Sequence, residues 1–301
     1  MRKMISVLLL AAMALSVCAG CQSGGGTGGS GNGGTVSGGF EKSKEITVIS
    51  REEGSGTRGA FIELFGIEQK GEDGSKKDLT SKEAIIAKQT DVMMNNVAGD
   101  KFTIGYISLG SLNDTVKAVQ IEGVTPTSGN VKSGTYPIAR PFNIATKGEA
   151  SGLTKDFIDY IMSAEGQEIV GKSYISIDDS AHSYAGNKPS GKIVVAGSSS
   201  VTPIMEKLKE GYLEVNTNAE IEIQMSDSSA GIIGAIDGTC DIGMASRELK
   251  ESELEELKAI QIALDGIAVI VNKENPSSDF TIEQIRNIFT GETVVWDEVI
   301  K

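Results

Sequence analysis

Two stretches of this chain repeat one design, and the repeat limits what it can fold into. Residues 45–65 read EITVISREEGSGTRGAFIELF: a short strand of alternating apolar residues, a charged glycine-rich turn, then a helix from about Thr57. Residues 192–208 read KIVVAGSSSVTPIMEKL, again strand, hydroxyl-rich glycine turn and helix. A helix start has backbone N–H groups without intrahelical partners and the positive end of the helix dipole, so it suits an anion. Ser55, Gly56 and Thr57 sit at the first turn, and Ser199 and Ser200 at the second. Arg51, at the end of the first strand, adds a guanidinium fork matched to tetrahedral oxyanions. Two such half-sites, far apart in sequence, imply one small ligand held between two lobes.

Five motifs together, SREEGSGTRGAF, IGYISLG, YPIARPF, GSSSVTP and DIGMASREL, resemble the substrate-binding proteins of phosphate ABC transporters, and the likeness covers nearly all of the chain after its leader. The resemblance implies a two-lobed α/β fold of the periplasmic-binding-protein type, type II, with mixed sheets flanked by helices and a hinge between lobes. It adds Ser228 and Ser246 as ligand hydroxyls. Inorganic phosphate is the implied ligand and an ABC permease the implied partner, with the receptor acting as a monomer. Family members carry an aspartate where Arg247 stands, so the acceptor for a phosphate proton is open among Asp227, Glu53 and Glu248, with Glu53 expected to orient Arg51. A sulfate-like oxyanion receptor, or a phosphate sensor or adhesin without transport, would share these residues.

The motif order differs from that of the family, in which the GSSSVTP half comes first. The chain therefore resembles a circular permutation with new ends cut just before the strand of Arg51, which would bring Glu45 and Lys301 together. Lobe one is expected to combine 44–137 with 266–301, and lobe two to span 138–265. YPIARPF and LDGIAVIVN are the expected crossings, with Arg140 expected in a structural ion pair.

Residues 1–20 read as an export signal, with Arg2 and Lys3 before an apolar run and Ala19-Gly20 before Cys21. The expectation is cleavage before Cys21, acylation of its sulfur and anchoring on the outer face of the cell membrane. Residues 21–43, mostly glycine and serine at first, form a tether with too little apolar surface to fold.

A net charge of −13 makes nucleic acid a poor partner and requires any anion to be held by local geometry. The single histidine, His182, lies in a polar connector, and Cys240 stands alone in a small apolar setting. Neither a zinc site nor a Ser-His-Asp triad can be assembled, so no metal, no cofactor and no enzymatic activity are expected. Between the motifs, 66–82 is expected to be loop, 82–97 helix, 153–171 a helix pair broken near Ser163, and 281–289 a capped helix. Trp296 is expected to pack in the interior.

Overall fold

The computed structural model describes residues 39–71 and 75–300. The expected signal, Cys21 and most of the expected tether, as well as Lys301, lie outside them. Nine strands form one mixed sheet: β1 (Thr47–Arg51), β2 (Ile85–Ala87), β3 (Thr103–Ser108), β4 (Lys117–Ala118), β5 (Ala139–Thr146), β6 (Gly191–Ser198), β7 (Ala219–Ser226), β8 (Ile242–Ala245) and β9 (Lys258–Val271). Their order is β7-β6-β8-β5-β9-β3-β1-β2, with β4 on β9. The longer helices are α1 (Gly56–Leu64), α2 (Thr90–Gly99), α3 (Gly152–Ile161), α4 (Ala164–Gly171), α5 (Thr202–Val215), α6 (Ser228–Asp237) and α7 (Ile282–Thr290), besides two short α-helices and two 3-10 turns.

β9 ties the sheet together. Its second half, GIAVIV, is apolar without interruption because both faces are covered: Ile267, Val269 and Val271 join one cluster with Phe61, Tyr106, Phe289 and Trp296, while Ala268 and Ile270 join another with Ile49, Met93 and Val97. Its first half pairs with β5 beside a separate core of Phe142, Phe157, Val195, Leu208 and Tyr212. A smaller cluster behind α6 joins Ile232 and Ala235 to Ala145 and Ala245. Between the cores β5 and β9 run antiparallel, with Arg140 opposite Asp265. These two side chains form the expected ion pair, 3.1 Å apart and each 1% exposed.

Several local expectations hold. The Ser163 side chain accepts from Gly166 N–H and starts α4, which breaks the helix pair. Thr281 and Gln284 form a capping box on α7, and Gly291 ends it at φ 83°. Trp296 is fully buried and donates its indole N–H to the Phe102 carbonyl. Cys240 is buried, and burial pushes its thiol pKa up.

Two expectations are corrected. Residues 85–87 are a strand, not helix: the β-branched Ile85 and Ile86 extend the sheet parallel to β1, and the helix starts only at Thr90. Residues 68–70 and 76–78, expected to be loop, pair as an antiparallel ribbon.

The first and last described segments lie side by side. Glu45 forms an isolated bridge with Val295, Ile46 N–H donates to Val294 O at 2.8 Å, and Lys42 Nζ donates to Ile300 O at 3.1 Å. Among the described residues no helix is long and apolar enough to cross a membrane.

Candidate functional site

β1 and β6 end at the same place in space. Each delivers its chain into a hydroxyl-bearing turn and then a helix, and the two turns face each other. The Ser55 side chain caps α1 by accepting from Arg58 N–H at 3.3 Å. On the next residues, Thr57 Oγ1 lies 2.8 Å from Ser200 Oγ, joining turns 143 positions apart. Behind them α6 starts at Ser228, whose Oγ accepts from Ser246 N–H at 3.1 Å. Ser246 Oγ also accepts from Ser198 Oγ at 3.0 Å. Gly56 fits between these groups only because it lacks a side chain: a Cβ there would stand 2.4 Å from Ser228 Oγ and 2.8 Å from Ser246 Oγ.

Arg51 closes the cluster from the β1 side and is 1% exposed. Its Nη2 donates to Ser199 Oγ at 3.0 Å. Glu52 grips the other edge of the fork, accepting from Nε at 2.8 Å and from Nη2 at 2.7 Å. The carboxylate that orients Arg51 is therefore Glu52 and not Glu53, because the adjacent side chain turns back onto the guanidinium while Glu53 lines the groove outside. Arg51 N–H donates to Tyr106 OH at 3.0 Å, and the phenol also meets Ser50 Oγ at 2.9 Å. Burial pushes the Tyr106 hydroxyl pKa up, so it stays protonated and shares a hydrogen bond with Ser50 Oγ while accepting from Arg51 N–H. The Tyr106 ring stacks on Phe61 of α1 at 3.8 Å, fixing strand, helix and arginine to one another.

All eight residues singled out in the sequence, Arg51, Ser55, Gly56, Thr57, Ser199, Ser200, Ser228 and Ser246, are buried around this one spot. Sequence reasoning missed Ser198, Glu52, Tyr106 and Thr90. Ser198 lay within the recognised turn, Tyr106 within IGYISLG, and Thr90 carried the only general signal available, a hydroxyl at a helix start.

The electrostatics follow from pairing. Arg51 is neutralised by Glu52, and Arg140 by Asp265. Burial lowers the Arg140 pKa and raises that of Asp265, while the ion pair works against both shifts. Arg140 Nη1 also donates to Ser246 O at 3.1 Å, which brings this second pair up behind the hydroxyls. Asp227 caps α6 through Ala230 N–H at 2.8 Å, so one of its oxygens is committed. A tetrahedral oxyanion among these groups would meet one guanidinium, a ring of hydroxyls and three helix starts in a water-poor setting, where such dipoles count for most. A groove of about 810 Å³, lined by Glu53, Ser55, Arg58, Arg140, Arg247 and Glu248 among others, opens beside the cluster. Among the described residues there is no group of three or more side chains that could hold a metal ion.

A mixed sheet with flanking helices, and helix starts facing one another where two strands end, places this molecule among the periplasmic-binding-protein-like folds. The chain belongs to the PBP superfamily, whose domain matches residues 37–165 and 182–300. It is 50% identical over 303 residues to the phosphate-binding protein PstS 2 of Streptococcus agalactiae serotype V, covering 99% of both chains. With PstS 2 of Streptococcus pneumoniae serotype 4 it shares 45% identity over 259 residues, 85% of this chain and 88% of that protein. The crystal structure of a phosphate-binding protein of a phosphate ABC transporter from S. pneumoniae TIGR4 superposes with a TM-score of 0.68 at 44% identity, covering 85% of this chain and all of that one.

Proposed function

We propose that this protein captures inorganic phosphate outside the membrane and delivers it to an ABC permease for uptake. What carries the reading is full-length similarity to phosphate-binding proteins together with the convergence of Arg51 and the serine hydroxyls on one buried spot. The two cores act as lobes, 44–137 with 266–301 and 138–265, and β5 and β9 are the connections about which they close. Arg51, Ser55, Gly56 and Thr57 bind from one lobe, and Ser199, Ser200, Ser228 and Ser246 from the other. Ligand shifts the population towards the closed form because only that form offers both sets of donors.

Calorimetric titration with phosphate and with sulfate between pH 5 and 8 tests the reading. Phosphate should bind and be preferred throughout; preference for sulfate would overturn the ligand assignment. The lipid anchor at Cys21 is tested separately, by loss of palmitate labelling in Cys21→Ala. The permuted order of the chain is supported by the contact between its first and last described segments.

A further inference from the structure

The corner between β2 and α2, which no motif touches, wraps the guanidinium of Arg51. Ala87 O accepts from Nε at 3.1 Å and Lys88 O from Nη2 at 3.5 Å. The third contact is a side chain: Thr90, 6% exposed, places Oγ1 at 3.5 Å from Arg51 Nη1 and at 3.5 Å from Ser199 Oγ. It is therefore a single hydroxyl that touches both the arginine of one half-site and the serine of the other. Its polarity is set by its neighbour. A guanidinium has no acceptor, so Thr90 Oγ1 can only accept from Nη1, which leaves its one proton for a partner other than Arg51, on the side where Ser199 Oγ lies.

We propose that Thr90 is a further ligand-binding residue, whose hydroxyl proton is aimed by Arg51 at an oxygen of the bound oxyanion. This rests on the proposed phosphate-binding function and deepens it: the cradle gains a donor from a fourth helix start, α2, besides those of α1, α5 and α6. Val at this position keeps the shape and the β-branch but removes the proton, whereas Ser keeps the proton and removes only a methyl. A hydrogen bond to a charged ligand is large enough for its loss to be read directly in affinity.

The test is calorimetric titration of inorganic phosphate into the wild type, Thr90→Val and Thr90→Ser, with thermal melting of each protein without added phosphate. The expected result is a dissociation constant weakened by at least about tenfold in Thr90→Val. Thr90→Ser should recover most of that loss, and the two variants should melt within a few degrees of each other. Phosphate affinity in Thr90→Val equal to that of the wild type overturns the proposal, and so does an equal loss in both variants, since the hydroxyl would then not be the acting group. A wild type that does not bind phosphate overturns the functional reading and this inference together, whereas unaltered Thr90→Val affinity beside a binding wild type overturns this inference alone.

Discussion

Arg51 Nη2 donates to Ser199 Oγ at 3.0 Å, although 148 positions separate the two residues. One belongs to the strand-turn-helix that comes first among the described elements, the other to its repeat. The contact joins the two hydroxyl-bearing turns into one enclosure, and it passes through an arginine whose remaining donors face Glu52 and the β2–α2 corner. Lysine at position 51 keeps the charge but cannot span these acceptors with one fork. Arg51→Lys is therefore expected to weaken phosphate binding by roughly ten- to hundredfold. Titration calorimetry reads this, and an unchanged affinity would mean the fork is not used.

Gly54 and Gly56 are two positions where the halves approach closely. A Cβ on Gly54 would stand 2.3 Å from Asp227 Oδ1, and Ser229 N–H donates across to Gly54 O at 3.2 Å. Alanine at either position should hold the lobes apart without entering either core. The expected signature is lost phosphate binding, a melting temperature close to that of the wild type, and a larger radius of gyration in solution scattering. A compact Gly56→Ala that still binds would contradict the packing.

Tyr106→Phe keeps the ring on Phe61 but leaves the buried Arg51 N–H without its acceptor. An unsatisfied buried donor costs about 1–3 kcal/mol. Urea denaturation should show a loss of that size with an unchanged m-value, and phosphate affinity should fall as well because Arg51 is no longer fixed. A variant as stable as the wild type would indicate that the phenol is not the partner.

Arg247 grips Glu253 with two bonds of 2.8 Å, and Lys250 N–H adds a third. Burial raises the Glu253 carboxyl, but the Arg247 and Lys250 bonds outweigh it and leave the pKa below its ordinary value. A carboxyl lowered in the folded state stabilises above its unfolded pKa and loses that contribution as pH falls through the folded one. Glu253→Gln should therefore melt below the wild type at pH 7, with the gap closing as the pH drops through the carboxylate range. A gap independent of pH would show that charge is not what the pair contributes.

Because Glu45 bridges Val295, the first and last described segments can be joined. A chain with Ile300 linked to Lys44 through a few glycines, and new ends cut within 178–190, should fold and bind phosphate with similar affinity. Failure to fold, tested by circular dichroism and melting, would contradict the proposed permutation.

Much of this molecule is legible along the chain because its signals are local. The glycine and hydroxyl turn followed by an apolar helix, the run GIAVIV and the capping box at Thr281 each depend on neighbours a few residues away. The misread segment, Ile85–Ala87, shows the limit: three residues with apolar neighbours carry too little periodicity to choose between strand and helix. Pairing with β1 makes that choice.

The same limit applies to the arginine. The motif indicated that a carboxylate would orient Arg51, but adjacent Glu52 and Glu53 are equivalent until the backbone direction assigns one to the guanidinium and the other to the groove. Thr90 is likewise an ordinary helix-start threonine until the parallel register of β1 and β2 sets Arg51 beside Ala87 and brings α2 to the site. The sequence alone determined which residue types could hold an oxyanion and that they occur in two sets, since helix starts and hydroxyl turns are local properties. Only the tertiary structure decided which side chains share one enclosure, because that depends on strand register and on the paired strands joining the two cores, which are long-range contacts.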